Sequence, residues 1–166
     1  KLLQTRGMLV LKLPARTQDQ HGKFKWLLEP CQDDPRCDSA VWYFDGSMLN
    51  GRWKDLRVTG FGVVVTSIDG DLLGFGQGLP PSWCTTAASA EAWALHIVLT
   101  CCPFPPQMRT DCLSLLRVAE EGTQKAIDAS KQIARIWVLI AESLDNDVST
   151  LTNNGLLIWM PAHQSL

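Results

Sequence analysis

The chain has no apolar run long enough to cross a bilayer, because His96 and the prolines after Cys102 break the longest candidate. It has no charged-then-apolar start of the signal-peptide kind. It also lacks a strong excess of charge: the formal net charge is -2. Nothing global therefore marks a polyanion partner, and any nucleic-acid contact must come from a local basic patch. Its 6 cysteines lack the paired spacing of a metal site. Cys31 and Cys37 flank a polar, proline-containing loop, and Cys101-Cys102 sits in an apolar helical pattern, as small buried thiols do. These absences point to an intracellular protein, cytoplasmic or nuclear, with reduced thiols and no membrane partner.

What is present is enough chain for one core. At 166 residues, 46% hydrophobic and 19% charged, the composition is that of a globular domain and not of a disordered segment. The first residue is Lys1 and not a methionine, which reads as a piece of something longer. Residues 1–39 read as an N-terminal extension and linker, with short strands at Met8–Leu13 and Phe24–Leu28 and turn formers from Pro30 to Ser39. Residues 40–166 read as the domain.

The domain is organised around Ala40-Val41-Trp42-Tyr43-Phe44-Asp45-Gly46-Ser47. The run is apolar on both parities, β-branched and aromatic, which predicts a strand buried on both faces at the centre of a sheet. It ends abruptly in an acid, which is costly to bury without a partner. Asp-Gly is also a common turn pair, and this stretch alone leaves both readings open.

Downstream, a polar loop carries Arg52, Lys54 and Arg57. Strands are expected at Thr59–Ser67 and Leu72–Gly78 around an Asp69-Gly70 hairpin turn. Gly60 and Gly62 share a face, which suggests that something packs close to the backbone there. Thr85–Cys102 reads as a helix. At 100° per residue its Ser89, His96 and Thr100 fall on one side, and Glu91 falls among alanines and leucines on the other. An inward acid needs a cation, a metal or a strong hydrogen bond, unless a frayed or rotated helix lets it reach water.

A short strand, Gln107–Asp111, ends in another acid; Asp111 also reads as an N-cap for the helix at Cys112–Ala119. A crossover through the Glu91 helix would make this strand parallel to the first. An amphipathic helix is expected at Ser130–Leu144, with Lys125, Lys131 and Arg135 as a candidate basic face. A last strand follows at Gly155–Met160 and closes on Pro161-Ala162-His163.

Asp45, Glu91 and Asp111 are thus expected to meet beyond the carboxyl ends of parallel strands, where ligands gather in such sheets. Three carboxylates in one place repel unless divalent cations neutralise them, and hard oxygen ligands suit Mg²⁺ or Mn²⁺. Two ions about 4 Å apart would activate a water and stabilise the leaving oxygen of a phosphodiester.

The motifs Tyr43-Phe44-Asp45-Gly46-Ser47, Ala90-Glu91-Ala92-Trp93-Ala94-Leu95, Thr110-Asp111 and Ile158-Trp159-Met160-Pro161-Ala162-His163, in this order, resemble type 1 ribonuclease H, in particular the domains attached to retroelement reverse transcriptases. The resemblance runs from about Ala40 to the C-terminus. It implies an α/β fold: a five-stranded mixed sheet flanked by helices, its first three strands antiparallel and its last two parallel to the first. It implies metal-dependent endonucleolytic cleavage of the RNA strand of RNA–DNA hybrids, with Asp45, Glu91 and Asp111 as metal ligands for two Mg²⁺ or Mn²⁺ ions.

By the same resemblance, His163 would assist water activation or product release, Thr86 would touch the DNA backbone, and Ser47 would contact substrate. A larger reverse-transcriptase polyprotein is the implied context. The family's fourth carboxylate follows the histidine on a final helix, and this chain ends before it; Asp145 and Asp147 do not match it. The positions that often carry amide side chains before Glu91 are Ala87, Ala88 and Ser89 here. The alternative expectation is a catalytically inactive module of this fold that binds nucleic acid or protein.

Overall fold

The computed structural model describes residues 3–5, 8–10, 22–31, 33–52 and 57–161. Among them the chain runs β1 (Leu3–Thr5), β2 (Met8–Val10), β3 (Lys23–Leu28), β4 (Val41–Leu49), β5 (Val58–Thr66), β6 (Leu72–Leu79), α1 (Ala87–Cys101), β7 (Gln107–Thr110), α2 (Leu113–Glu120), α3 (Thr123–Ala126), α4 (Ala134–Glu142), α5 (Thr150–Asn153) and β8 (Leu157–Trp159). A 3-10 turn, Pro35–Ser39, leads into β4. β1 and β2 form an antiparallel pair. No helix among the described residues is long and apolar enough to cross a membrane.

The main sheet has six strands in the order β3-β6-β5-β4-β7-β8. β4, β5 and β6 form the expected antiparallel meander, and β7 and β8 run parallel to β4. β4 is central because it is apolar on both parities: Val41, Trp42 and Phe44 are all buried. The β5–β6 turn places Gly70 at φ 93°, a conformation that glycine adopts without a steric penalty.

The sixth strand is β3, from the segment read as an extension. It pairs antiparallel with β6, and its inward rings complete the core: Phe24 stacks on Phe61 and Trp26 meets Trp42 edge-on, both at 5.9 Å. Gly74, Gly76 and Gly78 of β6 make room for this, because a Cβ at each would collide with Pro30, Phe24 or Phe61.

The helices cover one face of the sheet. α1 packs on β4 and β5, α4 packs on α1, and α2 and α5 lie against β8. The core between them holds Phe44, Val63, Leu95, Met108, Trp137 and Ile140. On the other face Val64, Phe75 and Ile158 are exposed.

Two elements depart from expectation. The helix expected from Ser130 begins at Ala134, because Asp128 Oδ1 accepts from the Ser130 amide and the Asp128 carbonyl from the Lys131 amide, closing a turn there. The polar stretch after Leu144 is not all loop: Val148 and Leu151 are fully buried and bring α5 onto the core.

Candidate active site

Asp45, Glu91 and Asp111 each present a carboxylate oxygen, and these lie within 4.8 Å of one another. Three different elements deliver them. Asp45 stands exposed on β4, two residues past Tyr43, where the pairing of β4 with β7 stops. Asp111 follows β7 directly. It is not the cap of α2: that position is Cys112, which makes no side-chain cap bond. Thr110, fully buried, accepts at Oγ1 from the Cys112 amide, and Trp159 Nε1 donates to the Asp111 carbonyl at 3.1 Å. The backbone on both sides of Asp111 is therefore held, and its half-buried side chain faces the cluster.

Glu91 comes from the helix side. It is 5% exposed, as the inward phase of its helix predicts. α1 can approach so closely because residue 46 is glycine: a Cβ there would land on the Glu91 amide nitrogen and 2.6 Å from the Ala90 carbonyl carbon. The close backbone approach expected at Gly60 and Gly62 is thus found at Gly46. A Cβ at Gly60 or Gly62 would meet nothing nearer than 3.7 Å.

Burial pushes the Glu91 carboxyl up to about 8. The Gly46 backbone N–H works against that rise, and the neighbouring Asp45 and Asp111 add to it. Glu91 Oε2 is buried without a hydrogen-bond partner. The ion pairs Asp34–Arg36–Asp71 and Glu121–Lys131 do not involve the cluster.

The start of α1 is fixed to this corner of the sheet. Thr59 Oγ1 donates to the Cys84 carbonyl at 2.7 Å, and Arg57 donates to the Thr85 and Gly51 carbonyls. Thr86 is the N-cap: its Oγ1 accepts from the Ser89 amide, and Ser89 Oγ accepts from the Thr86 amide, a reciprocal capping box. Ser89 is therefore buried, and of the expected polar stripe Thr100 alone is exposed.

Ser47 is exposed on β4, two residues beyond Asp45. His163 and Lys54 lie outside the described residues. The expected basic face is partly engaged, with Lys131 bound to Glu121 and Arg135 over the Trp83 ring at 4.7 Å. Asp145 and Asp147 are exposed on the loop before α5, where Asp147 Oδ1 accepts from Ser149. The anchoring roles of Gly46 and Trp159 were not read from the sequence; the Asp-Gly pair carried a signal for the first, and none exists for the second.

No protein-family model and no curated protein matches the sequence. Solved structures do. RNase H1 of the halophilic archaeon Halobacterium salinarum NRC-1 superposes with a TM-score of 0.51 at 20% identity, over 74% of this chain and 86% of that one. This chain has the ribonuclease H-like fold. A foamy virus protease-reverse transcriptase, solved in complex with double-stranded DNA, matches the same fold with a TM-score of 0.51 at 19% identity, over 77% of this chain and 83% of that one. Within the ribonuclease H-like fold of this chain, the three acids meet just past the point where the pairing of β4 with β7 ends, with Glu91 supplied by α1. As an all-oxygen set with one unpartnered buried oxygen, they can hold a metal ion.

Proposed function

We propose that this chain is a divalent-metal-dependent endonuclease of the ribonuclease H kind, cutting the RNA strand of RNA–DNA hybrids. One observation carries the reading: three carboxylates meet within 4.8 Å, and one of them is buried. Burying a carboxylate beside two others is unfavourable unless a cation belongs there. The donor set fits Mg²⁺ or Mn²⁺, being hard, anionic and all oxygen. Asp45, Glu91 and Asp111 would hold two such ions. When bound, these ions would supply an activated water and charge neutralisation at the leaving oxygen.

The chain's own groups do the rest. Glu91 gives up its proton on loading. Asp45 and Asp111, nearer solvent, face the phosphodiester. Ser47 lies beside Asp45 on the same exposed strand end, within reach of a sugar or phosphate. Thr86 spends its hydroxyl on the helix cap, so a contact to the DNA backbone would use the α1 N-terminus that it organises. His163, by the family resemblance, assists water activation or product release. Discrimination of RNA from DNA rests on 2′-hydroxyl contacts across a minor groove. A larger reverse-transcriptase polyprotein is the context that the foamy virus neighbour supports.

The test is cleavage of a labelled RNA–DNA hybrid with Mg²⁺ or Mn²⁺ beside an Asp45→Asn control. Metal-dependent RNA cuts that vanish in the control support the enzyme. Equal cutting by the control overturns the site. Hybrid binding without cutting favours the inactive binding module.

A further inference from the structure

The carboxylate cluster stands at one end of a bare strip of sheet. The strand register sets Asp45 opposite Gly62, Gly62 opposite Gln77, and Gln77 opposite Lys25. Residues paired in this way share one face of the sheet. In the next row Ser47 is opposite Gly60, and Lys23 is opposite Leu79 on β6. Asp45, Ser47, Gln77, Lys25 and Lys23 are all exposed.

Gly60 and Gly62 have no structural reason to be glycine. Neither has a positive φ. Neither is pressed upon: a Cβ at Gly62 would find its nearest atom, the Gly76 carbonyl oxygen, at 3.9 Å. This separates them from Gly46, Gly74, Gly76 and Gly78, where a Cβ collides with protein atoms. Glycine weakens a strand interior and often marks a bulge, a tight bend or a site where a ligand or another backbone comes close; the β4–β5 register runs unbroken through Gly60 and Gly62, so no bulge accounts for them.

Two independent features mark the ends of the strip. At one end is Glu91 Oε2, unpartnered on a side chain 5% exposed and turned into the cluster. At the other, Lys23 and Lys25 have exposed side chains with no ion-pair or hydrogen-bond partner among the described residues. The Gln77 side chain between them has no hydrogen-bond partner there either.

We propose that this strip seats the sugar-phosphate backbone of the bound nucleic acid. Gly62 and Gly60 form its floor, Gln77 donates to it midway, and Lys25 and Lys23 hold phosphates at its far end. The proposal rests on the ribonuclease H reading of the cluster and adds a substrate-binding track to it. Three cross-strand steps span about 14 Å, the length of roughly four phosphates along one strand of a duplex axis. The charge runs from anionic to cationic along the track. Phosphate is therefore attracted at Lys25, and at the carboxylates it is admitted with the metal.

The experiment measures hybrid affinity by fluorescence anisotropy against salt in Mg²⁺, with the full chain carrying Asp45→Asn so that nothing is cut. Lys25→Ala should weaken binding by roughly threefold and lower the salt slope by about 1. Gly62→Val should weaken binding with no fall in its unfolding midpoint, because a Cβ there has room and β-branched side chains suit a half-exposed strand position. Lys131→Ala, the same charge change on the helical face, should leave the slope unaltered. Hybrid affinity and salt slope left unchanged by both Lys25→Ala and Gly62→Val overturn the track and leave the ribonuclease reading standing. No hybrid binding either by the parent or by the chain with Asp45 intact overturns both.

Discussion

Gly46 and Glu91 are in backbone contact: the β4 chain at Gly46 lies so close to the Glu91 amide that no side chain fits between them. One glycine thereby sets the depth of α1 against the sheet and delivers an acid from the helical layer to Asp45. Gly46→Ala should cost about 1–3 kcal/mol or more, as overpacking does, and displace the helix. Gly62→Ala, with room for its Cβ, should be neutral or slightly stabilising. Urea unfolding of the pair measures the difference, and equal costs would show that the contact is not what limits residue 46.

Asp45→Asn should reduce metal-dependent hybrid cleavage by at least about a hundredfold, on the scale of removing one charge-stabilising group from an active site. The fold should survive, because Asp45 is exposed. Circular dichroism and a cleavage assay run on one preparation check both halves. Calorimetric titration with Mn²⁺ should show weakened binding in the same variant.

Without metal, the chain should lose stability as pH rises. The Glu91 carboxyl is raised to about 8 from an ordinary 4.5. Between those values the folded state keeps a proton that the unfolded chain releases. The stabilisation is full below about 4.5 and is lost as pH climbs through about 8, by on the order of a few kcal/mol. Glu91→Gln should flatten the slope, and saturating Mg²⁺ should reverse it. Urea midpoints in EDTA from pH 5 to 8.5 read this out; a flat profile for the unaltered chain would place Glu91 in water. His96 contributes with the opposite sign below its ordinary 6.5, since burial lowers its pKa while Glu142 opposes the shift.

Thr86→Ala should destabilise the fold by about 0.5–2 kcal/mol through loss of the cap, and Thr86→Ser should restore it. If Thr86→Ser also restores hybrid affinity, the threonine acts through the helix end that it organises. A fold left untouched by Thr86→Ala would mean that the cap contributes nothing.

Much of the site was legible because its signals are local. An acid at the end of a two-sided apolar strand, and a single acid on the apolar side of a helix, are visible in a few residues each; Asp45 and Glu91 lie where those patterns put them. Asp111 was ambiguous between strand end and helix cap, and only the placement of Cys112 as the cap resolves it. What escaped depends on distant pairing. Trp159 reaches the Asp111 carbonyl because β8 lies beside β7. Likewise β3 was legible as a strand at Phe24–Leu28, but not its place in the main sheet, which it takes because glycine-rich β6 offers both an edge and space for two rings. The late start of α4 turns on two hydrogen bonds to Asp128, from the Ser130 and Lys131 amides, which no helical periodicity records.

The docking of β3 on β6 also bears on self-association. Without β3, the edge of the sheet would be β6: eight residues with glycine at 74, 76 and 78, the rings of Phe61 and Trp42 uncovered behind it, and a free row of backbone donors and acceptors. Such an edge invites pairing with another chain. β3 closes it and presents Lys23 and Lys25, charged residues of the kind that discourage further strand addition. A chain trimmed to begin at Ala40 would keep all three acids, yet it should aggregate through that opened edge.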